Sequence, residues 1–251
     1  MIRVKTASEI IKMREAGKIA AGARALAGRL AVPGAKTSDI DSEVRRFIKA
    51  RGAEPTFLGY NGFPKSVCIS VNDRIIHGIP GSGRLRSGDI VSIDVGATKD
   101  GFVGDCAATF AVGDISGEAQ TLIDATRQSF FEGLAAARAG NRVSDISKAV
   151  QTYAESLGFG VVREYVGHGV GKELHEDPEV PNYVQLPRKG ADPRLIEGMT
   201  IAIEPMVNAG GSAIRVLTDG WTVVTADGSL SAHYENTVLI TRGEPEILTR
   251  E

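Results

Sequence analysis

The chain is poor in cysteine, with only Cys68 and Cys106 among its 251 residues. One disulfide between two cysteines could not stabilise a chain of this length as the disulfides of small secreted proteins do. Reduced thiols in a cytoplasmic protein are the simpler interpretation. No apolar run approaches the roughly 20 residues that cross a bilayer. The opening segment MIRVKTASEIIKMREAGK lacks the apolar core of a secretory signal. These absences predict a cytoplasmic protein.

The chain also lacks an excess of charge of either sign. Its 29 basic and 31 acidic side chains give a formal net charge of -2. A nearly neutral protein has no global electrostatic attraction to nucleic acid or to an anionic membrane, so we expect neither as a partner. The composition, 42% hydrophobic and 24% charged, is that of an ordinary globular protein.

Apolar residues at helical spacing predict two pairs of helices, at 7–31 with 38–51 and at 117–138 with 142–157. Ser8 is the predicted cap of the first helix. Strand-like patterns follow each pair, at 66–73, 89–112, 161–169, 199–207, 214–229 and 231–241. This repeated order favours an α+β fold with a largely antiparallel sheet. No low-complexity linker separates the halves, so we predict a single domain, 1–251, with a duplicated layout.

Two aspartates are mirrored about a predicted hairpin turn at Lys99-Asp100-Gly101. Asp94 and Asp105 each lie in an apolar strand, at positions that face each other directly or diagonally. Burial of two neighbouring carboxylates is costly unless a cation offsets their charge. A metal site is therefore favoured, although spacing alone leaves open that either aspartate is a solvated residue at a strand end.

Three further residues could complete such a site. His168 has glycine on both sides, which allows close approach of backbone and ligand. Glu204 and Glu235 interrupt apolar strands, and Pro205 indicates a bulge or strand end at Glu204. Taken singly, His168 could be a loop histidine satisfied by hydrogen bonds, and each glutamate an outward acid on an edge strand.

The five residues together are more informative than any one of them. Four carboxylates and one imidazole carry four formal negative charges, which two divalent cations would offset. Oxygen-rich donor sets with one nitrogen suit paired Mn, Fe, Co or Zn ions better than a structural zinc site, which prefers thiolates. Paired ions that activate water are typical of hydrolases.

Several segments resemble, in order and spacing, those of type I methionine aminopeptidases. They are GYNGFPKSVCISVND, HGIPG, DIVSIDVGATKDGFVGD, GHGVGKELHEDPEVPNY, MTIAIEPMV and DGWTVVTADGSLSAHYENTVLIT. The resemblance implies the pita-bread fold, with two pseudo-symmetric halves, a curved, largely antiparallel sheet and helices packed on its outer face. It also implies that the enzyme removes the N-terminal methionine of peptides and nascent chains when the second residue is small.

The same resemblance implies roles for particular residues. The metal ligands would be Asp94, Asp105, His168, Glu204 and Glu235, with Asp105 and Glu235 bridging two divalent ions. Glu204 would also shuttle the proton of the attacking water. His77 would lie near the scissile amide, and His175 would hydrogen-bond the peptide carbonyl. The pocket for the first side chain would be lined by Phe57, Tyr60, Phe63, Cys68, Leu174 and Trp221.

The chain departs from the commonest pattern of this family at three positions. Phe57 stands where cysteine is frequent, Leu174 where phenylalanine is usual, and His233 where glutamine is common. We expect the first two changes to compensate partly in volume and to preserve methionine as the preferred first residue. His233 could tune the pH dependence or have no effect.

Two other functions share parts of this pattern. X-Pro peptidases share the fold and ligands, but they commonly have glycine after the Glu-Pro of the fourth strand motif, where this chain has IEPMV. Non-catalytic pita-bread proteins bind peptides or partners after losing a ligand or histidine, and none is missing here. We further predict a monomer that could act near the ribosomal exit tunnel.

Overall fold

The computed structural model describes residues 2–184 and 192–250. The predicted domain bounds, 1–251, also include residues that lie outside these ranges. The predicted helices are confirmed to within two residues at each end. They are α1 (Ala7–Leu30), α2 (Thr37–Ala50), α3 (Gly117–Ala136) and α4 (Val143–Ser156). None of the described helices is long and apolar enough to cross a bilayer.

Helix α1 begins with a capping box on Thr6, and the predicted cap at Ser8 is wrong. The Thr6 hydroxyl accepts a hydrogen bond from the Glu9 backbone N–H, and the Glu9 carboxylate accepts one from the Thr6 N–H. Glu9 lies three residues after Thr6, the spacing that this reciprocal arrangement requires. The first turn is therefore fixed by Thr6 rather than by Ser8.

Short strands surround one long hairpin. The strands are β1 (Glu54–Pro55), β2 (Cys68–Val71), β3 (Arg74–Ile76), β4 (Ile90–Lys99), β5 (Phe102–Ala111), β6 (Gly160–Val161), β7 (Gly167–Gly169), β8 (Glu176–Val180), β9 (Thr200–Ile203), β10 (Met206–Asn208), β11 (Ile214–Val216), β12 (Val223–Thr225), β13 (Ser231–His233), β14 (Asn236–Leu239) and β15 (Glu246–Ile247). Every described strand pair is antiparallel, which confirms the α+β class.

Each helix pair covers the sheet of its own half. Helices α1 and α2 pack on β2 and β4 around residues such as Val44 and Ile93. Helices α3 and α4 pack on β9 and β14 around residues such as Phe130 and Ile201. The sheet of the first half has β4 paired with β1, β2 and β5, and that of the second half has the order β15-β14-β9-β7-β8.

The two halves meet where β5 reaches the segment between β13 and β14. Ala107 and Glu235 exchange two backbone hydrogen bonds there, of 3.2 and 2.9 Å. Arg24 of α1 reinforces this seam by donating to both of their carbonyl oxygens. The predicted strand 231–241 is therefore not continuous, because the chain changes partner at Glu235.

Candidate metal centre and pocket

The β4–β5 hairpin brings Asp94 and Asp105 together. Asp100 and Gly101 form its tight turn with φ values of 49° and 78°, in the left-handed region that favours glycine. Asp94 pairs with Ala107, and Gly96 pairs with Asp105. The two carboxylates are therefore diagonal neighbours on one face of the hairpin, as the mirrored spacing predicted.

His168 approaches this pair from the other half, on β7. Its Nδ1 lies 2.9 Å from the Gly169 carbonyl oxygen, and because a carbonyl only accepts, Nδ1 carries the proton. The lone pair of Nε2 is thus free, 3.8 Å from Asp105 Oδ2 and 3.4 Å from Glu204 Oε1. A backbone carbonyl that fixes the tautomer in this way is typical of a ligating imidazole.

Both predicted glutamates lie at interruptions between strands. Glu204 and Pro205 lie between β9, which ends at Ile203, and β10, which begins at Met206. The sequence indicated a bulge or strand end at this position. Glu235 separates β13 from β14 and is fixed by its backbone pairing with Ala107. In each case the break in the strand aims the carboxylate into the seam between the halves.

The electrostatics of this cluster favour neutralisation of its negative charge, by a bound cation or by protons. Asp94 Oδ1, Asp105 Oδ1 and Glu235 Oε1 are buried without a hydrogen-bond partner among the described residues. Burial raises the pKa of Asp94 to about 7, and burial with the neighbouring carboxylates raises the pKa values of Asp105, Glu204 and Glu235 well above their usual range. Burial lowers the pKa of His168 to about 3, which leaves it neutral.

This donor set fits divalent ions. One nitrogen and several carboxylate oxygens are the donors that Mn, Fe, Co and Zn accept. Ligand atoms of Asp105, His168 and Glu235 lie within 4.8 Å of one another. Such ions would satisfy the unpartnered oxygens and offset the repulsion between the acids.

A cavity of about 290 Å³ opens onto the carboxylates. It is bordered by all the predicted pocket residues, Phe57, Tyr60, Phe63, Cys68, Leu174 and Trp221. Phe63 and Trp221 meet edge to face, with ring centroids 5.1 Å apart. Burial and the adjacent Asp94 raise the pKa of the Cys68 thiol, so this side chain is a neutral part of the wall.

The two predicted histidines lie at the same cavity. His77 has φ of 57°, and its ring packs between Tyr165 at 5.5 Å and Trp221 at 6.4 Å. Burial and the neighbouring His175 lower the pKa of His77 to about 4. His175 Nδ1 lies 2.6 Å from the Tyr60 hydroxyl, and burial lowers its pKa as well. Both imidazoles are neutral at pH 7 and can donate an N–H.

The structure adds residues that sequence reasoning did not place in the site. Tyr165 and Asn61 line the cavity. His233 is buried, with its Nε2 3.8 Å from Glu204 and 3.9 Å from Glu235. The available signal for His233 was its place two residues before Glu235 in the motif SAHYENTVLIT.

The fold and this buried donor set define a metal-dependent enzyme of the hydrolase class. The chain belongs to metallopeptidase family M24, whose model matches residues 11–242. It is 53% identical over 250 residues to a methionine aminopeptidase of Clostridium acetobutylicum, with 99% of each chain covered. A crystal structure of methionine aminopeptidase from Thermotoga maritima matches with a TM-score of 0.96 at 45% identity, covering 100% of both chains.

The comparisons confirm the resemblance and the pita-bread fold predicted from the motifs. A prolidase from Pyrococcus furiosus also matches, with a TM-score of 0.78, but at 24% identity. This chain covers 65% of that prolidase, and the likeness between them is one of fold alone.

Proposed function

We propose that this protein removes the N-terminal methionine from peptides and nascent chains, preferably when the second residue is small. The observation that carries the proposal is the lining of the cavity, which combines apolar aromatic side chains such as Phe63 and Trp221 with the carboxylates of Asp105 and Glu235. A flexible thioether suits an apolar, aromatic pocket of this kind. A methionine side chain held there would bring its peptide bond to the carboxylates.

The proposed metal ligands are Asp94, Asp105, His168, Glu204 and Glu235, with Asp105 and Glu235 shared between two ions. Two divalent ions, Co, Mn, Fe or Zn, would supply a water of lowered pKa and would polarise the scissile carbonyl. Glu204 is suited to move the proton of this water, because burial beside Asp105 and Asp94 raises its pKa well above its usual range. It would pass the proton to the leaving amine.

His77 and His175 are proposed to handle the substrate. Both are neutral imidazoles at the cavity, so each can donate an N–H to a peptide oxygen or to the charge that develops on it. The hydrogen bond between His175 and Tyr60 holds this ring in place. We assign His175 to the scissile carbonyl and His77 to the amide beyond it.

The pocket for the first residue is proposed to retain methionine despite Phe57 and Leu174. Phe57 packs where Gly96 has no side chain, so close that a Cβ built on Gly96 would lie 2.7 Å from the ring. The glycine thus makes room for the larger residue, while Leu174 leaves space on another wall. Kinetics on peptides that begin with Met, norleucine or Leu test this, and a clear preference for Leu would contradict it.

The experiment for the function as a whole is an assay of metal-reconstituted protein on Met-X-Ser peptides, with X varied from Gly to Leu. We expect the highest kcat/KM for Gly and Ala and a steep fall for Leu. Ala-Pro and Gly-Pro peptides are the controls for X-Pro peptidase activity and should not be cleaved. Cleavage of these, or no preference for methionine, would refute the assignment.

We further propose that the protein works in the cytoplasm as a monomer. Both cysteines, Cys68 and Cys106, are buried free thiols, which is compatible with a reducing compartment. Its substrates there would be nascent chains, and binding near the ribosomal exit tunnel stays a prediction. Analytical ultracentrifugation and ribosome co-sedimentation test the two points separately.

A further inference from the structure

A buried ion pair joins the N-terminal segment to the loop that carries His175. Lys5 Nζ lies 2.8 Å from Glu176 Oε2, and the side chains are only 4% and 5% exposed. The two residues are 171 positions apart in the chain. A charge pair this well buried is held in one geometry, unlike an exposed pair, which contributes little.

Each member of the pair is anchored on its own side. The Lys5 backbone N–H donates to the Gly198 carbonyl at 2.8 Å, and its ammonium also donates to the Arg3 carbonyl. The cap of helix α1 on Thr6 fixes the chain immediately after Lys5. Lys5 therefore presents its charge from a rigid support.

Glu176 in turn organises the loop 171–176. Its Oε1 accepts hydrogen bonds from the backbone N–H groups of Lys172 and Glu173 at 3.0 and 3.4 Å. Burial raises the pKa of Glu176, but hydrogen bonding and the charge of Lys5 lower it more, so the carboxylate is ionised. One carboxylate thus closes the loop on itself and attaches it to the N-terminal segment.

Gly171 lets the loop wrap tightly around this pair. A Cβ built there would lie 2.6 Å from both Glu176 Oε1 and Lys5 Cε. The Gly171 carbonyl also accepts from the Val103 N–H of β5 at 2.8 Å. The loop is consequently fixed at its first residue, by β5, and at its last residue, by Lys5.

His175 is the residue directly before Glu176, so this anchoring acts on the position of its ring, together with the pairing of Glu176 with Gly169 and the contact of His175 with Tyr60. The ring centroid is 4.3 Å from that of His168 and 5.4 Å from that of Tyr60. We propose that the Lys5–Glu176 ion pair is a positioning device that sets the distance of His175 from the scissile carbonyl. The proposal rests on the proposed function of His175 and extends it to two residues outside the cavity.

The test compares Lys5→Met with Arg14→Met in the metal-reconstituted full chain. Arg14 controls for the loss of an N-terminal cation, because it also pairs with a distant residue, Glu246, at 2.7 Å, in an ion pair that is 39% and 38% exposed. We expect Lys5→Met to lower kcat on Met-Ala-Ser by about 10-fold, as misplaced catalytic groups do, with KM and metal content within two-fold of the parent. Arg14→Met should leave kcat unchanged.

Two further measurements separate positioning from general stability. On a His175→Ala background, Lys5→Met should cause no additional loss of kcat, because its effect acts through the missing ring. Glu176→Gln, which keeps the volume and an acceptor for the loop, should also lower kcat if Lys5→Met folds poorly. Additive losses, or kcat within two-fold of the parent in both variants, would overturn the proposal.

A readout without turnover distinguishes failure of this proposal from failure of the proposed function. In the zinc-loaded protein, the ¹³C-labelled ring signal of His175, assigned with His175→Ala, should shift or broaden in Lys5→Met but not in Arg14→Met. An unchanged signal would overturn the positioning role even if the parent protein cleaves no methionine peptide. A changed signal in an inactive parent would uphold the positioning and refute only the activity.

Discussion

At the scale of single residues, Asp94, Asp105, Glu204 and Glu235 are mutually unfavourable until cations are bound. Asp105 is buried, it lies diagonally across the hairpin from Asp94, and its Oδ1 has no hydrogen-bond partner among the described residues. Its charge therefore opposes folding of the metal-free protein and favours metal binding. A residue proposed to hold metal can thus destabilise the metal-free protein that carries it.

This conflict predicts that Asp105→Asn stabilises the metal-free protein while abolishing activity. Loss of one charge from a repelling, buried set should raise the free energy of unfolding by about 1–2 kcal/mol at pH 8. Urea unfolding of the chelated parent and variant measures this. A destabilised variant would mean that the carboxylates do not repel one another in the folded state.

Phe57 and Leu174 give a second prediction at this scale. If their sizes compensate, Leu174→Phe alone should crowd the cavity and reduce kcat/KM for Met-Ala-Ser by about 10-fold, the effect of roughly 1–2 kcal/mol of steric cost. Adding Phe57→Cys should restore most of this loss. Independent effects of the two substitutions in kinetic assays would contradict compensation.

At the scale of elements, α1 determines how closely β5 can approach the helix layer. Gly104 of β5 lies against the backbone of Gly17 in α1, and a Cβ on Gly104 would be 2.5 Å from the Gly17 nitrogen. Asp105 follows Gly104 in β5. This contact therefore sets the distance between α1 and the hairpin that carries the two aspartates. The packing of the helix on the strand thereby supports the metal centre.

Gly104→Ala should therefore destabilise the protein by about 1–3 kcal/mol, the usual cost of overpacking a rigid contact. It should also weaken metal binding, since β5 must move. Gly83→Ala is the matched control, because a Cβ there has no neighbour within 4 Å. Denaturant unfolding and metal titration measure both effects, and equal behaviour of the two variants would contradict the close-contact argument.

At the scale of the whole molecule, the proposed metal centre lies on the seam between the two halves. Metal binding therefore links the stability of both halves to the ionisation of the carboxylates. The raised pKa values, about 7 for Asp94, mean that the metal-free folded state holds protons that the unfolded state has released. The contribution of these carboxyl groups to the stability of the metal-free protein therefore falls as the pH rises toward about 7, the pKa of Asp94. Metal binding displaces the same protons.

The rise in Tm caused by Mn²⁺ should accordingly grow between about pH 5.5 and pH 7.5. His168 does not oppose this trend, because its pKa of about 3 leaves the ring unprotonated throughout. Differential scanning calorimetry at several pH values, with and without Mn²⁺, measures the effect. A metal-induced shift independent of pH would contradict proton displacement.

Much of this architecture could be predicted from local signals. The four helices follow from apolar spacing, and the hairpin follows from Asp100-Gly101, which adopts the positive φ values of a tight turn. The mirrored positions of Asp94 and Asp105 follow from that turn. These predictions succeed because each depends on residues close together in the chain.

Features that depend on distant residues could not be predicted in the same way. The break at Glu235 arises from pairing with Ala107, and the environment of His233 depends on Glu204 and Glu235 together. The Lys5–Glu176 pair joins opposite parts of the chain. Local periodicity carries no information on such contacts. The count of charges and donor atoms favoured one two-metal site for the five acidic and imidazole residues, and the motif resemblance then implied a role for each of them.

The central claim is that a metal centre held by carboxylates is the source of activity. Its most direct test is a titration of the chelated protein with Co²⁺, in which calorimetry measures metal binding and hydrolysis of Met-Ala-Ser is measured in the same samples. We predict that bound metal reaches two ions per chain, that activity appears only with metal, and that Asp105→Ala abolishes both the second ion and turnover. Hydrolysis in the fully chelated protein, or retained turnover in Asp105→Ala, would contradict a carboxylate-held metal centre as the source of activity.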